Sequence, residues 1–295
     1  MDIKKCKLFV ITAETRKISK TAELTGYTQS GVSHMLKSFE QEVGVEVFKR
    51  DRYGVHLTPM GSELLIYVKR LLAENERLEQ FVYDLHGLEV GSITVGTFTS
   101  VSIACLPEIL RQFHEAHPSI EIIIKEGGSD DMENWISDMS VDLAFYSLQQ
   151  QYRGEFYHLM DDPMVAVLPR NFPIDPDAKA FPLEKIDGQP FILSETGIDH
   201  DIRRILSETN ARPNVVLSSK DDVTILAMVE AGLGISILPE LSVEGRPGNY
   251  VVLPLEPFHT RDLGIAVKSL KNAPPIVRSF VYAVQAYFDK RNAKA

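Results

Sequence analysis

The sequence has few of the features that mark secreted, disulfide-bonded or membrane-spanning proteins. It contains two cysteines, Cys6 and Cys105, in 295 residues, which argues against a disulfide framework and fits a reducing cytoplasm. The apolar run at 8–11 is interrupted by Thr12 and Glu14 and is too short for a secretory signal. No stretch approaches the roughly 20 apolar residues of a membrane helix. We therefore expect a cytoplasmic protein.

Motifs for catalysis are also missing. The sequence has no G-x-S-x-G, H-E-x-x-H, P-loop or C-x-x-C pattern. Asp199, His200 and Asp201 could suggest a metal site, but acids at a helix start are explained by the helix dipole, and no second His or Cys is near. We expect no catalytic residue, no metal and no cofactor. A metabolic enzyme or a solute-binding module with an accessory helical head remains the alternative, because dispersed catalytic residues would escape this search.

Positive charge is scarce overall and unevenly distributed. The net charge is −10, yet residues 1–58 hold ten Lys and Arg against seven Asp and Glu. This head carries +3, which leaves −13 for the remainder. A mildly basic head on an acidic body indicates that only the head meets an anionic partner.

The basic head reads as three short helices. Apolar side chains recur at helical spacing on one face of the third: Val32, Leu36, Phe39 and Val43. Thr28 is placed to cap this helix, and Gly26 suits the preceding turn. A second helix from about Ser19 is predicted to bury Ala22 and Leu24, and a first helix near 3–15 contributes Phe9 and Ala13.

The outer face of the third helix and the segment after it carry hydrogen-bond donors and cations. Those on the helix are Thr28, Gln29, Ser30, Ser33, His34 and Lys37. Gln can pair bidentately with adenine, and Ser can read either kind of base edge. The segment VFKRDRYGVHLT then predicts a hairpin whose Lys49, Arg50 and Arg52 lie against phosphates. An ordinary three-helix bundle with a polar outer face is the plainer alternative.

Together these residues resemble the winged helix-turn-helix of LysR-type transcriptional regulators. The resemblance covers residues 1–61 and rests on Phe9, Ala22, Leu24, Thr28-Gln29, Val32-Ser33, Phe39-Glu40, Gly44, Phe48, Arg50, Gly54 and Leu57-Thr58-Pro59-x-Gly61. Ser30-Gly31 replaces the usual Pro-Ala of the third helix, and His34 stands where the family often has Arg. These two departures affect the expected base preference.

A long helix follows the head. Thr58-Pro59 is a helix start, and no breaker occurs before Gly87, so the helix spans about 27 residues or 40 Å. An apolar stripe runs along it with steps of three and four: Leu64, Val68, Leu71, Asn75, Leu78, Val82 and Leu85. Such a stripe predicts a coiled-coil dimer, with Asn75 fixing the register. Packing on the C-terminal domain is the alternative. The resemblance also implies dimerisation here.

The acidic body alternates buried strands with helices, which predicts a mainly parallel sheet in two α/β lobes with a ligand cleft between them. The fold class is therefore α/β, with an α-rich winged helix-turn-helix head, a long linker helix and a two-lobed body. We expect domains at 1–58, 59–88 and 89–295. Within the body, lobe I covers about 91–162 and 268–295, and lobe II about 163–267.

The resemblance extends more loosely over the body. The segments LPEILRQFHEAHPSIEI, VDLAF and MVEAGLGISILPEL look like the effector-binding domain of LysR-type regulators, which is built like a periplasmic solute-binding protein. Carried onto this chain, it implies a pocket formed by Thr99, Ser100, Gly128, Ser129, Tyr146, Ser147, Thr196 and Thr224. Hydroxyls and helix starts favour a small carboxylate or another anion. Simple helix capping is the alternative for each Ser and Thr.

These features predict a one-component transcriptional regulator. Its expected partners are double-stranded DNA with a pseudo-palindromic operator, a small-molecule effector of unknown identity, and a second copy of the chain bound through the linker helix. The resulting homodimers are expected to assemble further into a homotetramer.

Overall fold

The computed structural model describes residues 1–52, 54–85, 91–195, 197, 200–209 and 211–293. The chain divides into two compact units. The first comprises residues 1–86 with 138–140, and the second comprises residues 87–137 and 141–295. Within the described residues, no helix is long and apolar enough to cross a membrane.

The first unit contains the predicted head and long helix. Its elements are α1 (Ile3–Thr15), α2 (Ile18–Thr25), α3 (Gln29–Val43), β1 (Phe48–Asp51), β2 (Gly54–Leu57) and α4 (Pro59–Leu85). The C-cap residues of α1, α2 and α3 all have left-handed backbone angles, and two of them are the glycines Gly26 and Gly44. Glycine adopts this conformation without a Cβ penalty. The predicted turn at Gly26 is therefore confirmed.

The core of the first unit is aromatic at its centre. Phe9 stacks on Phe39 with ring centroids 5.0 Å apart, and Val32 and Leu36 are buried beside them. The prediction for Leu24 is wrong, since its side chain is 60% exposed. Leu24 follows the buried Ala22 by two positions, which places it about 200° around the helix and therefore on the solvent side.

Close backbone contacts fix the hairpin and the start of α4. The strands β1 and β2 are antiparallel, with Arg50 opposite Val55. Gly54 has a φ of +133°, and a Cβ there would lie 2.6 Å from the carbonyl oxygen of Arg16. A Cβ on Gly61 would lie 2.2 Å from the carbonyl oxygen of Val47, which also accepts the N–H of Thr58 at 3.0 Å. The first turn of α4 thus packs directly on the backbone that leads into β1.

The predicted apolar stripe of α4 is divided between two environments. Leu64 and Val68 pack against the core of the first unit. Leu71, Leu78 and Val82 are exposed, at 37%, 61% and 42%. The head therefore covers only the beginning of the stripe.

The second unit consists of alternating strands and helices. In chain order they are β3 (Gly91–Thr97), α5 (Thr99–Ala104), α6 (Leu106–Ala116), β4 (Ile120–Glu126), α7 (Ser129–Asp138), β5 (Leu143–Ser147), β6 (Glu155–Pro169), β7 (Phe181–Pro182), a 3-10 turn (Leu183–Ile186), β8 (Pro190–Ser194), α8 (His200–Glu208), β9 (Asn214–Ser219), α9 (Asp222–Glu230), β10 (Ser236–Pro239), α10 (Glu240–Val243), β11 (Tyr250–Glu256), β12 (Thr260–Val267) and α11 (Pro275–Asn292). The predicted single helix after β3 is broken at Cys105, and Pro107 lies in the first turn of α6.

The main sheet of the second unit has the strand order β4-β3-β5-β12-β6-β11-β7, with β10 also paired to β6. Strand β3 is parallel to β4 and β5. Strand β12 is antiparallel to β5 and β6. The sheet is therefore mixed, where the sequence predicted a mainly parallel one, because β12 enters it from the opposite end.

The long strand β6 belongs to both lobes. Its first part, 155–163, pairs with β12, and its second part pairs with β10 and β11. Residues Leu263, Ile265, Ala266 and Val267 of β12 lie in the lobe I core. The predicted end of lobe II at 267 is thus too late, because pairing with β5 places β12 in lobe I.

Candidate functional site

Helix α3 presents a polar surface beside its buried face. Thr28 caps the helix, and its Oγ1 accepts the N–H of Gly31 at 3.1 Å. The predicted contact residues on α3 are exposed except Ser33, which is half-buried: Thr28, Gln29, Ser30, Ser33, His34 and Lys37. The structure therefore brings the predicted hydrogen-bonding groups to one end and one side of a single helix.

The hairpin presents cations. Lys49, Arg50 and Arg52 are all exposed. Among the residues described by the structure, Lys37, Lys49 and Arg50 take part in no ion pair within the chain. Other lysines of the head are engaged, since Lys5 pairs with Glu42. Cations without an internal partner remain available to phosphate.

Glu40 connects α3 to the hairpin, a role that sequence reasoning missed. Its Oε1 accepts the backbone N–H groups of Val47 and Phe48 at 2.9 and 3.2 Å. The last part of α3 therefore holds the first residue of β1 in place. Glu40 stood in the sequence signature, but nothing local indicated that its carboxylate would bond seven and eight residues further on.

A small pocket that is open to solvent lies in the second unit. Its lining comes from the segments that follow β3 and β4, from the end of β5, from α8, from the segment between β9 and α9 with the start of α9, and from β12: Phe98, Thr99, Ser100, Gly127, Ser129, Ser147, Asp201, Lys220, Asp222 and Arg261. All but Phe98 and Gly127 have polar side chains. The surface thus suits a small hydrophilic molecule.

Four of the eight predicted pocket residues are brought together there: Thr99, Ser100, Ser129 and Ser147. Gly128 does not line the pocket, although Gly127 does; its N–H donates to the Asp131 carboxylate at 3.0 Å. Thr196 lies outside the described residues.

Tyr146 and Thr224 are placed elsewhere. Tyr146 is fully buried in the lobe I core, and its hydroxyl donates to Glu133. Burial is the main cause that raises the pKa of Tyr146. Side chains alternate along a strand, so Ser147 and Tyr146 cannot both face the pocket. Thr224 is exposed and donates its hydroxyl to Asp221 at 2.8 Å, while Asp222 takes the place at the pocket.

A buried ion pair that sequence reasoning missed lies beneath the pocket. Arg261 donates to Asp162 from Nε at 2.8 Å and from Nη2 at 2.7 Å, and both side chains are almost completely buried. Arg261 Nη2 also donates to the Ser100 hydroxyl at 2.9 Å, and the guanidinium lies 5.3 Å from the Phe98 ring centre. Burial raises the pKa of Asp162, and the charge of Arg261 opposes that shift.

Two further carboxylates approach the pocket from lobe II. Asp201 is buried, accepts the Ser147 hydroxyl and pairs with Arg204 at 3.1 Å. Asp222 accepts the Ser242 hydroxyl at 2.6 Å, and burial raises its pKa. The pocket is therefore lined by two acids and by the two cations Lys220 and Arg261.

Direct contacts cross from lobe I to lobe II beside the pocket. The N–H of Asp130 donates to the Gly197 carbonyl at 3.0 Å. The Asp130 carboxylate meets His200 Nε2 at 2.7 Å. Of the three residues Asp199, His200 and Asp201, the last two thus have partners within the protein. Asp199 lies outside the described residues.

Cys105 lies in the lobe I core without exposed surface. Burial is the main cause that raises its pKa to about 11. Because the thiolate is the reactive form, the structure favours a packing role for Cys105.

Comparison with known proteins agrees with the division of the chain into an N-terminal and a C-terminal unit. Residues 3–62 match the family model described as bacterial regulatory helix-turn-helix protein, lysR family. Residues 86–289 match the LysR substrate binding domain. The HTH-type transcriptional regulator YvbU of Bacillus subtilis, itself uncharacterized, is 30% identical over 98% of this chain and 99% of its own.

Solved structures share the fold over the same ranges. CbnR in complex with its target DNA has a TM-score of 0.70 at 18% identity, covering 97% of this chain and 100% of CbnR. The regulatory domain of CcmR from Synechocystis, in complex with 2-PG, has a TM-score of 0.62 at 18% identity, covering 66% of this chain and 96% of that domain. The chain belongs to the LysR family of DNA-binding transcriptional regulators, with an N-terminal helix-turn-helix and a C-terminal effector-binding domain.

Proposed function

We propose that α3 enters the major groove of a pseudo-palindromic operator and that the hairpin holds the adjacent backbone. The capped, exposed start of α3, beside Lys49 and Arg50, which form no ion pair with any residue the structure describes, carries this proposal. Gln29, Ser30 and Ser33 read base edges. Lys49, Arg50 and Arg52 bind phosphates, and Lys37 and His34 support them along the helix. Thr28 combines its capping role with a position at the helix N-terminus, where phosphate is favoured.

Replacing Arg50 or Gln29 by alanine is expected to change DNA binding in different ways. Arg50→Ala weakens binding to every sequence and lowers the salt slope by about one, because one phosphate contact is lost. Gln29→Ala relaxes discrimination at particular base pairs by about 1–3 kcal/mol. The measurement is binding to a genomic fragment library, then to the enriched operator and to random DNA, across a salt series.

Lys185→Ala is the matched control, since Lys185 is an exposed cation of the second unit. It should bind operator and random DNA like the wild type. If Arg50→Ala and Gln29→Ala changed specific and random binding by the same factors, the separate roles assigned to the hairpin and α3 would be wrong.

We propose that the pocket of the second unit binds a small polar effector that carries an anionic group. Lys220, Arg261 and the hydroxyls at the starts of α5 and α7 support this choice, as does the capture of 2-PG by the structurally similar CcmR domain. The chain then acts in the cytoplasm as a regulator without catalytic activity and without a cofactor.

The contacts between the lobes indicate how an effector acts. A molecule in the pocket meets Ser147 and Ser129 of lobe I together with Asp201 and Lys220 of lobe II. It therefore changes the balance between open and closed lobes only to the extent that it binds one arrangement better. In a dimer, that change alters the spacing of the two DNA-binding heads and the bend imposed on the operator.

We propose that the exposed part of the α4 stripe forms the dimer contact. Leu78→Glu places a charge at a stripe position that is 61% exposed, and in a two-stranded coil the two new charges would face each other. We expect sedimentation velocity to show a shift to smaller species at micromolar concentration. Ile66→Glu, at a 45% exposed position on the opposite side of α4, should sediment like the wild type. If Leu78→Glu and Ile66→Glu sedimented at the same rate, the exposed part of the stripe would not be the dimer contact.

A further inference from the structure

Three potential metal ligands meet on the outer face of strands β6 and β12. They are His158, Asp161 and Asp262, and one ligand atom from each lies within 4.8 Å of the others. His158 Nδ1 is 2.6 Å from Asp262 Oδ1. The cluster lies where β6 passes from its pairing with β12 to its pairing with β10 and β11. It is separate from the effector pocket.

A β-bulge brings the histidine to this face. Met160 pairs with Leu263 and His158 with Gly264, so Leu159 is an extra residue on β6. Without it, His158 would share the face of the buried Asp162, since residues four apart in a regular strand point the same way. The bulge reverses the alternation and re-aims His158 towards the carboxylates.

The two carboxylates oppose each other directly. Asp161 and Asp262 are cross-strand partners, and like charges in that position destabilise a sheet. Among the residues described by the structure, no lysine or arginine pairs with either acid, and His158 is the basic neighbour of Asp262. A cation between them would remove this repulsion.

We propose that His158, Asp161 and Asp262 form a surface site for a divalent transition-metal ion, represented by Zn²⁺. One imidazole and two carboxylates suit such ions, whereas Mg²⁺ prefers oxygen ligands alone. Ligands about 2.1 Å from Zn²⁺ are roughly 3.4 Å apart in a tetrahedron. Side-chain rotations would therefore have to separate His158 Nδ1 and Asp262 Oδ1, now 2.6 Å apart, while Asp161, within 4.8 Å of both, completes the set. Because His158 and Asp161 are exposed, water can occupy the remaining coordination positions of the ion.

The site has a position from which it can influence the pocket. Asp161 and Asp262 are the chain neighbours of Asp162 and Arg261, which form the buried ion pair on the opposite face. A bound ion fixes the pairing of β6 with β12 at that register. This inference goes beyond the proposed function, because it depends on neither DNA nor effector.

The test is isothermal titration of the chelator-treated full chain with Zn²⁺. We expect one saturable site in the wild type. Changes outside the ligand set already weaken metal sites by about 10- to 100-fold, so loss of a ligand in Asp161→Asn or His158→Gln should weaken this site at least tenfold. His114→Gln removes an exposed histidine of α6 outside the cluster and should bind Zn²⁺ like the wild type.

Thermal unfolding supplies a second measurement. Zn²⁺ should raise the midpoint reported by Trp135 fluorescence in the wild type and in His114→Gln, because ligands that bind only the folded state stabilise it. It should leave the midpoint of Asp161→Asn unchanged. Absence of saturable binding in the wild type, or wild-type affinity in both cluster variants, would overturn the proposal. Titration with Mg²⁺ should give no comparable heat at this site.

Discussion

Gly61→Ala is expected to destabilise the first unit by about 3 kcal/mol, near the upper end for an overpacked site. The added Cβ would lie 2.2 Å from the Val47 carbonyl oxygen. Backbone forms both sides of this contact, so no side-chain rotation relieves it. The start of α4 or the strand β1 must then move, and the hairpin cations move with it. We expect specific DNA binding to be lost at temperatures where the wild type binds.

The sign of this effect makes the test decisive. Replacing glycine by alanine inside a helix ordinarily stabilises it by about 0.5–1 kcal/mol. The sequence has one tryptophan, Trp135, which lies in the second unit. Urea unfolding followed by far-ultraviolet circular dichroism should show an early transition in Gly61→Ala, while the Trp135 fluorescence transition stays in place. Ser62→Ala, at the next and exposed position, is the control. Greater stability in Gly61→Ala than in the wild type would contradict the contact.

Asp162→Asn is expected to destabilise the second unit by about 3 kcal/mol, because removing one member of a buried ion pair leaves the other charge uncompensated. Arg261 would keep its Ser100 contact but lose the carboxylate that accepts from Nε and Nη2. The Trp135 fluorescence transition in urea measures this loss. The helical transition of the first unit should not change.

The double variant Asp162→Asn with Arg261→Met separates the ion pair from simple packing. Removing both charges avoids the buried, unpaired guanidinium, so the double variant should be more stable than Asp162→Asn alone. If the loss of stability in the double variant equalled the sum of the losses in Asp162→Asn and Arg261→Met measured separately, the two residues would not be coupled. The structural importance of the pair would then be refuted. The double variant should also respond poorly to effector, since Arg261 lines the pocket.

Local patterns in the sequence were sufficient for the head. Helical spacing identified Val32, Leu36 and Phe39 as core, and the capping roles of Thr28 and Gly26 followed from residue type alone. Leu24 was wrongly assigned to the core because its apolar character does not by itself say which side of a short helix it occupies. Gly61 was quoted as part of a motif, but its necessity depends on a carbonyl group fourteen residues earlier in the chain.

The pocket was harder to predict, because its residues are brought together from distant parts of the chain. Arg261 and Asp162 are 99 residues apart, and no local pattern pairs them. The expectation that Tyr146 and Ser147 both line the pocket was wrong, because neighbouring side chains of a strand face opposite sides. Packing decides which of the two belongs to the lobe I core, and that residue is Tyr146. The placement of β12 in lobe I likewise depends on a pairing with β5 that only the folded chain reveals.

The origin of the pocket lining bears on how such a protein acquires a new inducer during evolution. Most of the lining belongs to turns after strands and to helix starts, whereas strands contribute Ser147 at the end of β5 and Arg261 of β12. Turn residues tolerate substitution better than strand residues whose register is fixed by pairing. Gene duplicates can therefore diverge in the molecule they sense by changing positions such as Thr99 or Ser129, while the strands that connect the lobes stay the same.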